Sequence, residues 1–262
     1  MNEIPKRSFA QKYHVKSLFW LALFIILVFW TANITGVNFV MFFDNFGQFT
    51  DLLGKMAKPD WSYSKLVFAP ILQTIQMALI GTTVGTLVAI PFSVLAARNI
   101  VKNKFLRSVI RFILNLVRTL PDLMLAALFV AIVGIGPVAG VFTLAVFSFG
   151  MISKLFYEAI ETIDEGPLEA LQATGASRTQ VVIFAVIPQV FNYFISYYLY
   201  TFEINVRAST VLGYLGAGGI GVYLQRSLNE FAYDQTAVII IAILVVVLII
   251  DTISNTMRER LL

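Results

Sequence analysis

Long, mostly uncharged apolar runs alternate with polar segments along this chain, and most runs have about the length of a membrane-crossing helix. About 20 apolar residues suffice to cross the hydrocarbon core of a bilayer. Residues 18–34 form the first run, with Trp20 and Trp30 near its ends as interfacial anchors. The second covers residues 67–97, where Pro91 predicts a kink. The third, residues 112–133, carries Arg118 and Asp122, and Gly134-Ile135-Gly136-Pro137 then marks a turn. Residues 138–153, 181–202 and 236–250 complete a set of six, the last rather short. The predicted fold class is therefore an all-α polytopic membrane protein with about six transmembrane helices. The third and fourth runs form either two crossings or one re-entrant pair, and the parity is the same.

Composition narrows this further. Of 262 residues, 58% are hydrophobic and 13% charged, whereas soluble domains hold about 45–50% and about 25%. The length suits one membrane domain and leaves no room for a fused ATPase domain. Cysteine is absent, which excludes disulfides, thiolate zinc sites and thiol chemistry. The single histidine, His14, lies in a basic tail without a partner ligand, so no metal site is expected.

The net charge of +4 does not point to nucleic acid, because the cations flank apolar runs. Lys6, Arg7, Lys12 and Lys16 precede the first run, and Arg98, Lys102, Lys104, Arg107 and Arg111 follow the second. Such clusters mark the cytoplasmic side. Residues 17–43 are uncharged, longer than a signal-peptide core and without a small-residue cleavage pattern, so this segment is expected to be retained. The expected organisation is a cytoplasmic basic tail (1–16), a first span with an external loop (17–66), a transmembrane domain (67–255) and a cytoplasmic C-terminus (256–262). Within the domain, residues 154–180 form a cytoplasmic loop.

That loop is acidic, with Glu158, Glu161, Asp164, Glu165 and Glu169 on one side of Gly175. Pro167 suits the start of a helix, and Glu169-Ala170-Leu171-Gln172-Ala173 favours continuing it. Gly175 permits a sharp bend, and Ser177 can cap a following helix that runs into the fifth span. A short surface helix, a bend and a rising helix together form an element that a partner can push.

At this point the sequence resembles the membrane permeases of ABC importers. Their signature loop runs Glu-Ala-Ala, three residues, Gly, nine residues, Ile, one residue, Leu-Pro. Glu169, Ala170, Gly175 and Pro188 fall at matching positions, while Leu171, Ala185 and Ile187 are apolar exchanges. From about residue 69 onward the likeness is to permeases of the phosphonate importer type. It is carried by Arg118-Thr119-Leu120-Pro121-Asp122, Gly136-Pro137-Val138-Ala139-Gly140, Lys154, Pro188-Gln189, Glu203-Ile204-Asn205-Val206-Arg207 and the glycine-rich residues 213–221.

The resemblance implies a MetI-like permease core in a prokaryotic cell membrane, with both termini cytoplasmic. It implies that the loop holding Glu165, Glu169, Ala170, Gly175 and Pro188 docks on separate ABC ATPase subunits. An extracytoplasmic solute-binding protein would deliver the cargo, and a second permease chain, identical or not, would complete the path. This chain would bind no cofactor, ATP being used by its partner. The implied cargo is phosphonate or a related phosphorus oxyanion such as phosphite or phosphate, moved by alternating access. Two alternatives stand beside this: an ABC permease for another small solute such as an amino acid, and a secondary transporter or channel without an ATPase. Inverted repeats would favour the latter.

Polar residues inside the third run, with polar residues and glycines that follow the fifth, are the candidate translocation path. Arg118 and Asp122 are four apart, so on one helix they would share a face and could pair. They either line an anion route or reflect an interfacial arginine that snorkels. Arg207 offers a planar fork suited to phosphorus oxyanions, or else pairs with Glu203 four residues earlier. Asn205 lies between them. Gly216, Gly218 and Gly221 satisfy G-x-G-x-x-G, but a dinucleotide site needs a βαβ unit that is not expected here. With Gly219 they more plainly allow irregular or closely packed backbone beside the path. No catalytic triad or carboxylate pair is apparent, so enzymatic chemistry is not expected of this chain.

Overall fold

In the computed structural model the described residues, 15–37 and 39–260, form only helices, turns and irregular backbone. The basic tail expected over residues 1–16 lies almost wholly outside them, including Lys6, Arg7, Lys12 and His14. Two units are present, one ending at Gly54 and one beginning at Lys55. In the first, α1 (Val15–Ile34) is apolar on all sides and long enough to cross a membrane. The short helix α2 (Phe39–Asp44) follows it, and α3 (Phe46–Met56) runs on past the boundary at Gly54.

The second unit contains α4 (Ser64–Ala96), α5 (Lys104–Thr119), α6 (Asp122–Val133), α7 (Pro137–Glu161), α8 (Gly166–Ala173), α9 (Arg178–Val181), α10 (Ile187–Leu212), α11 (Ile220–Asn229) and α12 (Tyr233–Glu259). A π-helical turn, Val182–Val186, joins α9 to α10, making one apolar rod over Arg178–Leu215. Besides α1, four helical stretches, all in this second unit, are long and apolar enough to span a bilayer, and α5 with α6 adds a broken span.

The centre of the second unit is the contact of α4 with α7. Ala78, Gly81, Gly85 and Ala89 recur at helical spacing along α4 and are buried. A Cβ at Gly81 would lie 2.6 Å from the Leu144 Cβ, and one at Gly85 would lie 2.6 Å from the Ser148 Cβ. Small residues here let two backbones approach, which is how helices gain packing energy where lipid removes the hydrophobic incentive. The remaining helices wrap this pair. Pro70 and Pro91 both lie inside α4, which remains one helix to Ala96.

The continuous third span expected over residues 112–133 is corrected. α5 and α6 meet at 88° across Leu120-Pro121. A proline pushes its predecessor out of the helical region, and Leu120 takes φ −75, ψ 125. α5 is consequently a separate amphipathic helix, burying Ile110 and Leu114 while presenting Lys104 and Arg107 at its start. The fourth span is longer than expected, because α7 continues to Glu161.

Polar links fasten the two ends of the bundle. At one end the Gly136 amide donates to Gly216 O at 2.8 Å, and the Asp60 amide donates to Asp234 O at 3.3 Å. At the other, Glu161 pairs with Arg111 and accepts from the Arg98 amide at 2.6 Å. Arg111 also donates to Ala96 O at 2.9 Å and stacks 4.6 Å from the Tyr157 ring. One half-buried carboxylate thereby closes the α4–α5 corner against α7.

Candidate functional site

The acidic loop forms a braced elbow. Asp164 opens it by accepting the Gly166 amide at 2.9 Å. α8 follows, and Leu168 anchors it by burial in a cluster with Ile110, Leu114, Ile160 and Val181. The helix ends in a full Schellman motif: the Ala176 amide donates to Leu171 O at 3.1 Å and the Gly175 amide to Gln172 O at 3.0 Å. Gly175 takes φ +81 to make that turn. Ser177 and Gln180 then form a reciprocal capping box that starts α9.

Pro188 follows the π turn after one residue, Ile187. It has no N–H for residue 184 and its ring crowds that carbonyl, so the widened turn accommodates what a regular α-helix could not. Gln189 next to it reaches back to the loop. Its Oε1 accepts from the Asp164 amide at 3.1 Å, while its Nε2 donates to Ala185 O at 2.8 Å. The start of the elbow is thus tied to the rising rod.

Not all the acidic residues are available to a partner. Glu158 pairs with Lys154 at 3.5 Å, and Glu161 is held by Arg111. Glu165 and Glu169 are exposed and make no ion pair among the described residues. Ala170 and Pro188 are exposed on the same elbow.

The second constellation lies where α10 meets α12. Glu203 is only 5% exposed and is held by Arg207 on one side and by Arg258 Nη2 at 3.1 Å on the other. Arg207 also lies 3.6 Å from Asp251, and Arg258 donates to Asn255 Oδ1 at 2.6 Å. Two arginines and two carboxylates balance each other. Arg207, Thr210 and Asp251 line an open depression of about 580 Å³ shared with apolar side chains of α11 and α12.

Deeper in the bundle, Asn205 is fully buried and donates to Thr82 Oγ1 at 2.7 Å and Ser148 Oγ at 2.6 Å. This joins α10 to the α4–α7 pair. The glycine-rich segment beyond α10 is irregular between Leu215 and Ile220 and clamped at the Pro137 end of the bundle. The Gly219 amide donates to Gln73 Oε1 at 3.0 Å and the Ile220 amide to Thr74 Oγ1 at 2.8 Å. A Cβ at Gly218, whose φ is +84, would lie 2.8 Å from the Pro137 backbone. Gly216 supplies the carbonyl bonded to Gly136, and Gly221 packs against Gly213 and Thr210. No phosphate cradle is formed; the G-x-G-x-x-G pattern serves close packing.

Residues 89–261 match the family described as the binding-protein-dependent transport system inner membrane component. The chain belongs to that family. This permease is 39% identical over 209 residues to the phosphite transport system permease protein PtxC of Stutzerimonas stutzeri, covering 80% of this chain and 76% of that protein. It is 37% identical over 224 residues to the phosphate-import permease protein PhnE of Mycolicibacterium smegmatis, covering 85% of this chain and 41% of that protein. Its fold is similar to an inward-facing structure of the MetNI methionine ABC transporter, with a TM-score of 0.67, 23% identity, and coverage of 75% and 96%. The chain is a multi-pass membrane permease of a bacterial ABC importer.

Against this, one sequence expectation about the permease fails. Arg118 and Asp122 do not share a helical face, since the 88° break separates them, and they form no ion pair among the described residues. Arg118 is exposed at the end of α5 with its stem against Gly150, and Asp122 opens α6. For Glu203 and Arg207, the pairing reading is the one the geometry adopts. Sequence reasoning missed Thr82, Ser148, Asp251, Asn255 and Arg258 as site residues, and it noted Gln189 only as part of the family likeness. Of these, Asp251 carried a signal, as an ionisable residue directly at the end of an apolar run.

Proposed function

We propose that this permease imports a phosphorus oxyanion, namely phosphonate, phosphite or phosphate. It works with cytoplasmic ABC ATPase subunits, an extracytoplasmic solute-binding protein and a second permease chain. The observation that carries the cargo class is the similarity, over four fifths of the chain or more, to relatives named for phosphite and phosphate import. The elbow faces the cytoplasm, together with the N- and C-termini, where Glu165 and Glu169 meet the ATPase. Closure of the ATPase pair pushes α8, and the Gln189 latch and the capped turn at Ser177 carry that push into the rod from Arg178 to Leu215. α10 then shifts against α4, α7 and α12, opening the path on alternate sides.

Arg207 does not act as a free anion receptor in this account, because Glu203 and Asp251 balance its charge. Cargo is selected on the binding protein, and the permease offers a weakly interacting route past Arg207, Thr210 and the glycine strap. Calorimetry of the partner binding protein with methylphosphonate, phosphite, phosphate and methionine tests the cargo class. Preference for a phosphorus oxyanion is expected; binding of methionine alone would overturn it.

A further inference from the structure

An apolar groove of about 370 Å³ runs between α4, α7 and the rod of α9 and α10. Ile90, Val94, Ile160, Val186, Val190 and Phe194 are among its lining side chains. From Val182 to Tyr198 it extends about 24 Å along the helix axis, longer than the roughly 15 Å of hydrocarbon in one leaflet. Ile187 and Phe191 on its rim are 41% and 55% exposed, so it opens sideways.

At its end near the elbow lies a polar pocket of about 210 Å³, lined by Asn99, Lys102, Gln172 and Arg178. The two cavities share a wall. Val181 lines the pocket and Val182 the groove, while Ile160 lines the groove and its carbonyl accepts from Asn99 Nδ2 at 2.5 Å. Lys102 and Arg178 make no ion pair among the described residues. Asn99 Oδ1 is buried without a hydrogen-bond partner and can accept from a hydroxyl or ammonium.

We propose that groove and pocket together seat one anionic phospholipid, with an acyl chain along α10 and the headgroup phosphate between Lys102 and Arg178. A glycerol headgroup suits the pocket well, since its hydroxyls can donate to Asn99 Oδ1. Charge complementarity distinguishes this occupant from a purely apolar partner, and the length of the groove distinguishes it from a free anion. Gln172 belongs to α8, so the bound headgroup braces the elbow itself.

The test is native mass spectrometry of the detergent-purified transporter with added phosphatidylglycerol or phosphatidylcholine. Phosphatidylglycerol is expected to remain bound and phosphatidylcholine to be lost. Lys102→Ala with Arg178→Ala should lower the lipid's affinity about thirtyfold, as loss of two near-surface cations implies. Lys104→Ala, outside both cavities, should leave it unchanged, and Ile187→Trp should displace the lipid by filling the groove. Equal retention of both lipids, or an unaffected double variant with an unchanged melting profile, would overturn the proposal. Competition by millimolar inorganic phosphate would also overturn it, by showing that the pocket holds an anion without a chain. The chain has no cysteine, so Ile187→Cys gives a clean further check: a disulfide between copies would mean that a second permease covers the groove. None of these readouts involves the cargo.

Discussion

Gly175 ends α8 at φ +81, and nothing lies within 4 Å of the position its Cβ would occupy. Substitution there is resisted by backbone strain, about 1–2 kcal/mol for an ordinary L residue, and bulk adds little. The expected order of ATPase co-purification is Gly175, then Gly175→Asn, then Gly175→Ala and Gly175→Val, because asparagine tolerates the left-handed region. Wild-type retention by the valine variant would contradict this. Asn205 presents a different case, in which the side chain supplies the link. Asn205→Ala removes two interhelical bonds worth about 0.6 kcal/mol each in membrane proteins. For a chain of this size that is roughly 2–4 °C of melting temperature, measurable in detergent; an unchanged midpoint would show that the network carries no stability. The exposed Glu165 and Glu169 could be guessed from sequence as acidic loop residues. The Lys154–Glu158 pair, four positions apart, was open to the same reading, but the engagement of Glu161 was not, because it meets Arg111 fifty positions away.

Helices were largely legible in sequence because apolar run length and helix length are set by the same bilayer. α1, α4, α7, α10 and α12 all occupy the expected runs. The failure at Leu120-Pro121 has a physical reason: hydropathy averages over a window and is blind to direction, so it joined α5 to α6 across an 88° turn. The proline itself was the available signal. The elbow was legible for the opposite reason, since Pro167, Gly175 and Ser177 are local devices whose conformations hardly depend on distant contacts. What could not be read was the Gln189 latch, which bridges twenty-five positions. Gln189→Leu should leave the fold and ATPase co-purification intact yet lower the cargo moved per ATP hydrolysed. A proportional fall in both rates would show that the latch transmits nothing.

For the whole bundle, long-range polar contacts fix how the rods sit. Asn205 reaches Thr82 and Ser148, and Glu203 reaches Arg258; no one-dimensional spacing foretells either pair. Without Arg258, Glu203 and Asp251 share Arg207 alone, which leaves one negative charge of the cluster uncompensated. Arg258→Met should therefore cost up to about 3 kcal/mol and lower the yield of folded protein, and Glu203→Gln should partly rescue it. Failure of that rescue would place the role of Arg258 elsewhere. The transport mechanism as a whole depends on which side of the membrane α8 faces. Because the native chain has no cysteine, Glu169→Cys is a clean reporter for a membrane-impermeant maleimide. Labelling is expected in inside-out vesicles and not in intact spheroplasts, with protection when the ATPase subunit is present. Labelling from the outside, or none of that protection, would contradict an elbow driven by a cytoplasmic ATPase.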